Sequence, residues 1–309
     1  MTATQGLERW TTDAQLFEYS KAANPIAAGA TPPIPFAAFP HTLHESGPTR
    51  VIPLDLSEEL RCPGPATGPG LLASFVRLLP GERVVTQPNA TSELYYVMRG
   101  RGSSLVGDRV LPWEQGDFFA LPAHSETTHM ADADTDAALY YINDEPLLRY
   151  LGATAAAPRF APTLYSHAAC QAALDEAERD PEAANRSRVS ILLGNRRFEQ
   201  TMTVTETLWV MYGVAPAGAV QKPHRHQSVA LDLVADCEPG CYTLLGTELD
   251  ERGEIVDPVR ADWEPNSAFV TPPGLWHAHF NESGSPAHVI PVQDAGLHTY
   301  LRTLDIRFT

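Results

Sequence analysis

Gly218-Ala219-Val220-Gln221-Lys222-Pro223-His224-Arg225-His226 and, about fifty residues later, Trp276-His277-Ala278-His279 are the stretches whose reading decides the fold. In an extended strand, residues two apart project from one face, so His224 and His226 present both imidazoles to a common point. Asn266 through Pro272 to His277 reads as a strand, a proline turn and a returning strand, which brings a third imidazole alongside. Three neutral nitrogen donors on a rigid sheet suit a divalent first-row metal. The plainer reading is a strand of packed or surface histidines. Clustering weighs against it, because four of the 11 histidines fall in two His-x-His pairs.

Outward from these pairs the pattern stays β. From Leu71 to Leu151, short β-branched or aromatic runs (Ala73 to Leu79, Glu93 to Met98, Asp117 to Leu121) are broken at Pro80-Gly81 and Gly100-Arg101-Gly102. Close spacing with Gly and Pro turns predicts an antiparallel sandwich or barrel. A polar stretch with Ser166 as N-cap and His167 to Arg179 as body predicts a helix, ended by Asp180-Pro181. The β pattern resumes near Val189 and runs to the C-terminus.

An internal repeat is legible. Trp113-Glu114 precedes Pro122 by nine positions and Trp263-Glu264 precedes Pro272 by nine. Phe119 and Phe269, and His129 and His279, keep the same offsets from those prolines. Gly81 leads Gln87 by six, as Gly218 leads His224. About thirteen extra residues lie between the second copy's motifs, near Val234 to Val256. The expected organisation is an irregular arm over 1–70, a barrel over 71–160, a helical linker over 161–188 and a second barrel over 189–309. Within the arm, Asp13 to Ala23 is expected to be helical and a brace or dimer contact is a plausible use.

Composition narrows the function classes. A net charge of −16 and the lack of any basic cluster argue against nucleic acid or an anionic membrane as partner. Met1 to Gly6 shows neither a basic nor an apolar leader region, and no apolar run would span a bilayer. The cysteines Cys62, Cys170, Cys237 and Cys241 are unevenly spaced, and Cys237-x-x-x-Cys241 reads as a turn around Pro239-Gly240 rather than half a zinc site. A cytoplasmic protein, and a homo-oligomer, are expected.

Gly218, five residues, then His224-x-His226, with Asn266-x5-Pro272-x4-His277 downstream, resembles the two-motif signature of the cupin superfamily. Two such units look like a bicupin, an all-β chain of two tandem double-stranded β-helix (jelly-roll) barrels with short flanking helices. The match sharpens toward the gentisate 1,2-dioxygenase group through His224-Arg225-His226 followed by Ala230-Leu231, Trp276-His277-Ala278-His279, and Ile142-Asn143-Asp144-Glu145-Pro146-Leu147. That group is similar in lacking the glutamate many cupins place after the His pair. The resemblance implies His224, His226 and His277 as metal ligands, Fe(II) as the ion with Zn, Mn or Ni as alternatives, and a small-molecule substrate with dioxygen as partners. Three imidazoles leave open positions for a bidentate substrate and dioxygen together.

The chain departs from that group in three places. Gln87 and Asn89 stand where a first unit would carry its His pair, and Thr127 stands at the third position, so the N-terminal unit, with Glu93 and His129 left, is expected to be structural. The group's Ala-Leu-Arg, whose arginine holds a substrate carboxylate, here reads Ala230-Leu231-Asp232. Strand alternation puts Asp232 on the face of His224, His226, Ser228 and Ala230, where an anion would repel a benzoate; a bulge would instead turn it to solvent. Lys222, Arg196 and Arg197 are candidates to replace the missing arginine. His279 is a candidate general base or hydrogen-bond donor, and Asp232 is the other catalytic candidate. Gln221, Ser228 and Trp276 join Asp232 as candidates for substrate contact. Two other readings stay open: a non-oxidative metal-dependent hydrolase, lyase or isomerase, and a non-enzymatic small-molecule-binding bicupin.

Overall fold

The computed structural model describes residues 10–123, 126–181 and 188–309. The first part of the chain contains β1 (Ala37–Phe39), β2 (Arg50–Pro53), β3 (Leu72–Leu78), β4 (Arg83–Thr86), β5 (Ser92–Arg99), β6 (Arg101–Val106), β7 (Arg109–Glu114), β8 (Phe118–Pro122), β9 (Thr127–Ala131), β10 (Ala137–Asn143) and β11 (Thr163–Tyr165). The second contains β12 (Val189–Leu193), β13 (Trp209–Ala215), β14 (Val220–Arg225), β15 (Ala230–Asp236), β16 (Cys241–Gly246), β17 (Val259–Asp262), β18 (Ala268–Thr271), β19 (Trp276–Asn281), β20 (Ala287–Gln293) and β21 (Arg307–Phe308).

These strands make two jelly-roll barrels. In the N-terminal barrel a six-stranded sheet, β11-β8-β5-β10-β3-β2, faces a four-stranded one, β4-β9-β6-β7. In the C-terminal barrel the six-stranded sheet is β1-β18-β15-β20-β13-β12 and its partner is β17-β16-β19-β14-β21. The repeat legible in the sequence is thus a repeat of topology.

The edge strands are exchanged between units. β1, which precedes the first barrel, pairs with β18 of the second, Ala37 opposite Val270 and Phe39 opposite Ala268. β11, which precedes the second barrel, pairs with β8 of the first, Thr163 opposite Ala120 and Tyr165 opposite Phe118. The 1–70 arm is therefore not irregular throughout: it supplies β1 to one barrel and β2 to the other, where Arg50 lies opposite Arg77. Such short strands escape a periodicity reading because they gain their stability by covering a sheet edge. The expected helix over Asp13 to Ala23 is confined at its C-terminal end to Tyr19–Ala22. The helix after Ser166 runs His167–Glu178, and the Ser166 side chain caps it by accepting from Ala169 N at 3.3 Å. Met1 to Gly6 and part of the linker, 182–187, lie outside the described residues.

Alternation along the long strands explains where the core sits. Leu94 and Tyr96 of β5, Phe118 of β8 and Tyr140 of β10 join Val210, Tyr212, Leu231, Val270 and Ile290 of the other unit in one buried cluster. The two six-stranded sheets thus pack against each other, with Phe118 and Tyr212 meeting edge to face at 6.0 Å. The intervening residues point into their own barrels: Tyr95, Val97, Phe119, Leu121, Leu139 and Tyr141 form the N-terminal interior. In the C-terminal barrel the apolar interior is smaller, built on Val234, Cys241, Trp263, Phe269, Ala287 and Val289. Strands buried on both faces read as continuous apolar runs, which is why these segments lack a polar alternation.

Candidate metal centre

Four imidazoles converge inside the C-terminal barrel. His224 on β14 lies directly opposite His277 on β19, with ring centroids 4.0 Å apart. His226, in the loop after β14, lies 4.9 Å from His277, and His279 lies 5.6 Å from His277 on the same strand. β14 is bulged: Gln221 pairs with His279 but His224 pairs with His277, so three residues on one strand span two on the other. Lys222 and Pro223 occupy the bulge, a place where proline's missing N–H costs no ladder bond. The extra residue re-aims His224 inward. Burial holds all four rings below the usual histidine range, His224 at about 3. They are neutral at pH 7 and their lone pairs are available.

Hydrogen bonding separates the four. His224 Nδ1 meets Lys222 O (3.3 Å), His226 Nδ1 meets Ser228 O (2.8 Å) and His277 Nδ1 meets Leu275 O (3.1 Å). A carbonyl only accepts, so each Nδ1 carries the proton and each Nε2 keeps its lone pair. His279 differs. Its Nδ1 meets the Thr243 hydroxyl at 2.8 Å, and that hydroxyl already accepts from Trp263 Nε1 at 2.8 Å. Among the described residues the Thr243 hydroxyl hydrogen has no other acceptor, so Thr243 donates it to Nδ1, which assigns the His279 proton to Nε2. Nitrogens of His224, His277 and His279 lie within 4.8 Å of one another, a tighter group than any containing His226. Tautomer nevertheless favours His226 over His279 as a donor to a cation, because an N–H cannot ligate.

Beside the imidazoles lies a cavity of about 130 Å³. An apolar cavity of roughly 150 Å³ holds a benzene ring, so this volume sets the scale of a ligand at one ring. Its walls include Met211, Ala230, Pro291, Ile306 and Phe308, and its polar lining is Arg188, Trp209, Gln221, Asp232, Gln293 and the four histidines. The C-terminal strand β21 flanks it, with the Phe308 ring stacked on His224 at 5.7 Å. Two buried polar atoms on these walls have no hydrogen-bond partner among the described residues, Trp209 Nε1 and Gln221 Oε1. An orphaned donor and an orphaned acceptor on one ring-sized cavity mark a place for a polar ligand.

Asp232 faces the cavity, as alternation predicts, and is 3% exposed. Burial pushes its carboxyl up to about 6, against the opposing effects of the Thr271 hydroxyl, which donates to Oδ2 at 2.6 Å, and of the Arg188 guanidinium. Arg188 is the cation that sequence reasoning missed. It lies one residue before β12, in no motif, and donates to Met211 Sδ at 3.6 Å. The three basic residues expected there are elsewhere. Lys222 lines an outer groove with Arg252 and Phe280, and Arg196 and Arg197 sit in a turn after β12, where Arg197 Nε donates to Arg159 O.

Two expected substrate contacts are also corrected. Ser228 is buried behind His226 and donates to Gln293 Oε1 at 2.8 Å, so it orients cavity residues rather than lining the cavity. Trp276 alternates outward from His277 and stacks under Arg225 at 4.9 Å. Gln221 does line the cavity. Trp209 was missed because a single tryptophan at a strand start carries no local signal of its role.

The N-terminal barrel shows the same framework with the site filled. Trp113 Nε1 donates to Ser104 Oγ (2.9 Å), which meets His129 Nδ1 (2.7 Å), repeating the Trp263, Thr243 and His279 chain. His129 Nε2 then meets Thr86 Oγ1 (3.0 Å), Thr86 meets Tyr95 OH (2.9 Å), and Tyr95 and Tyr141 both donate to Glu93 Oε2. Thr86 lies opposite Thr127 as His224 lies opposite His277. The residue at the His224 position is therefore Thr86, not Gln87: β4 lacks the bulge of β14, and counting from Gly81 runs one residue past it. Tyr95 stacks on Tyr141 at 4.4 Å and on Phe119 at 4.6 Å, filling the interior.

No family model matches the chain. It is 35% identical over 86 residues to 5-aminosalicylate 1,2-dioxygenase of a Comamonas species and 32% identical over 82 residues to gentisate 1,2-dioxygenase 1 of Aquipseudomonas alcaligenes. These matches cover 28% and 26% of this chain, and the chain spans 23% of each of those curated relatives. Over 99% of its length it superposes on 97% of the crystal structure of salicylate 1,2-dioxygenase from Pseudaminobacter salicylatoxidans, with a TM-score of 0.76 at 13% identity. The fold is that of tandem cupin barrels.

Proposed function

We propose that the C-terminal barrel holds one divalent ion, iron(II), on Nε2 of His224, His226 and His277, and that the chain is a ring-cleaving dioxygenase acting on a small hydroxylated aromatic or enolisable compound. The observation that carries this reading is the tautomer pattern: three imidazoles with Nδ1–H tied to backbone carbonyls aim their lone pairs at one end of a ring-sized cavity. The donor set fits such an ion, being neutral, nitrogen-only and oriented by hydrogen bonds from behind. When bound, iron(II) on three neutral ligands supplies a centre that brings substrate and dioxygen together.

The protein's own groups do the rest. His279 presents an Nε2–H, so it donates a hydrogen bond to a phenolate-type oxygen rather than acting as a base. Trp209 Nε1 and Gln221 Oε1, unpartnered in the cavity wall, gain partners when a hydroxylated ring enters. Phe308 and Ile306 give the cavity an apolar wall for the ring. The relatives' names support the reaction class, and their short overlap leaves it to experiment. Metal analysis of protein purified without nickel chromatography should find iron near one per chain. An oxygen electrode should then record uptake on a panel of hydroxybenzoates, aminophenols and β-diketones. An iron-loaded protein that consumes no oxygen on any of them would point to a non-oxidative cupin instead.

A further inference from the structure

Among the cavity walls, Asp232 is an acidic side chain whose chemistry the metal reading leaves unused. It is buried, it lines the cavity, and its recorded hydrogen bond, from Thr271 Oγ1, occupies Oδ2. A carboxylate accepts at both oxygens and donates nothing when ionised. Arg188 lines the same cavity and carries the opposite charge. Asp232 and Arg188 therefore offset one another, and the positive charge of the site is left on the ion that the three imidazoles would hold. A ligand carboxylate placed beside Asp232 would face an anion at that end of the cavity, and such a group is costly to strip of water. A ligand N–H or O–H instead meets an acceptor already desolvated, the arrangement in which a charge-assisted hydrogen bond is strongest.

We infer that Asp232 is the specificity-determining residue of this pocket, accepting a hydrogen bond from an amino or hydroxyl substituent on the ring and disfavouring a carboxylate in that place. The substrate class is then a hydroxylated aromatic whose second polar group is a hydrogen-bond donor, the aminophenol or catechol type. This rests on the C-terminal cavity being the substrate site, as proposed above. The charge of Arg188 favours the ionised form of Asp232 against the effect of burial, while Trp209 Nε1 and Gln221 Oε1 serve the phenolic hydroxyl.

The test is binding, read without turnover. Titration calorimetry under anaerobic conditions on the iron-loaded protein compares 2-aminophenol with salicylate, two ligands of one ring and one hydroxyl that differ in amino against carboxylate. The wild-type protein should bind 2-aminophenol more tightly. Asp232→Asn should shrink that preference about tenfold, the scale of one hydrogen bond to a charged group, and Asp232→Arg should reverse it. Arg188→Gln should weaken 2-aminophenol binding while leaving the order of the two ligands unchanged. Tighter salicylate binding by the wild-type protein, a ratio unmoved by Asp232→Asn, or no 2-aminophenol binding at all would each overturn the assignment. Oxygen uptake recorded in parallel separates the two readings: binding with the expected preference but no uptake overturns the dioxygenase reading alone.

Discussion

Asp232 stands in the C-terminal barrel where Tyr95 stands in the N-terminal one: Asp232 lies opposite Phe269 on β18, and Tyr95 lies opposite Phe119 on β8. Their cross-strand neighbours on the other side are Pro291 and Tyr141. Two stacked tyrosine rings in one barrel are thus an aspartate and a proline in the other. A buried aromatic side chain covers about 150–250 Å², and exchanging two of them for smaller residues is what opens the cavity beside the histidines. The first barrel spends the same space on packing, and large-to-small changes there would cost about 3–5 kcal/mol.

Asp232→Tyr should close the C-terminal cavity by restoring the ring found at the matching position. Calorimetry should show loss of aromatic-ligand binding, with metal content retained and the melting temperature within a few degrees of the parent. Unchanged ligand affinity in a folded variant would mean that ligands bind elsewhere.

Metal content should separate His226 from His279. His226→Ala removes an Nε2 lone pair and should drop bound iron to below about a tenth of the parent value, the loss of one of three ligands. His279→Asn removes only an N–H donor and should change metal affinity by at most the 10–100-fold typical of outer-shell groups. Elemental analysis after dialysis against a weak chelator reads both. Loss of metal from the His279 variant with retention in the His226 variant would assign the closer-spaced group, His224, His277 and His279, as the ligands.

Trp209→Phe keeps the ring and deletes the unpartnered Nε1–H. Ligand affinity should fall by about tenfold, one hydrogen bond, with iron content unchanged. An unaltered affinity would mean that the indole N–H is satisfied in some other way.

Glu93 gives a pH signature of the N-terminal barrel. Burial pushes its carboxyl up to about 7, against hydrogen bonds from Tyr95 and Tyr141. The folded state therefore holds this proton more tightly than the unfolded chain does, and stability from this group is present at low pH and lost as pH rises from about 4.5 through about 7. Glu93→Gln removes that loss. The melting temperature of the variant relative to the parent should rise between pH 5 and pH 8, corresponding to roughly 3 kcal/mol at full ionisation. A fixed cost of the amide would offset both ends equally. A difference that does not change with pH would show that Glu93 is ionised throughout.

Much of this protein was legible in the residues alone. The two His-x-His pairs, the matching Trp, Phe, Pro and His offsets, and the Gly and Pro turns determined a duplicated β-barrel with its histidines in the second copy, because side-chain alternation and turn chemistry are local properties of a strand. The inward aspect of Asp232 followed from the same alternation. What only the tertiary structure decided depends on which strands become neighbours. The exchange of β1 and β11 between barrels leaves no local trace, since an edge strand is chosen by the backbone it pairs with. The bulge at Lys222 and Pro223 is one residue, enough to put Thr86 rather than Gln87 opposite Thr127, and offset counting cannot register it. Arg188 reaches the cavity from outside every motif, brought there by the pairing of β12 with β13. The tautomer that sets His279 apart from His224, His226 and His277 depends on Thr243 and Trp263, residues 36 and 16 positions away in the chain. A hydrogen-bond network spread over two strands and the turn that follows a third exists only once those segments are folded together.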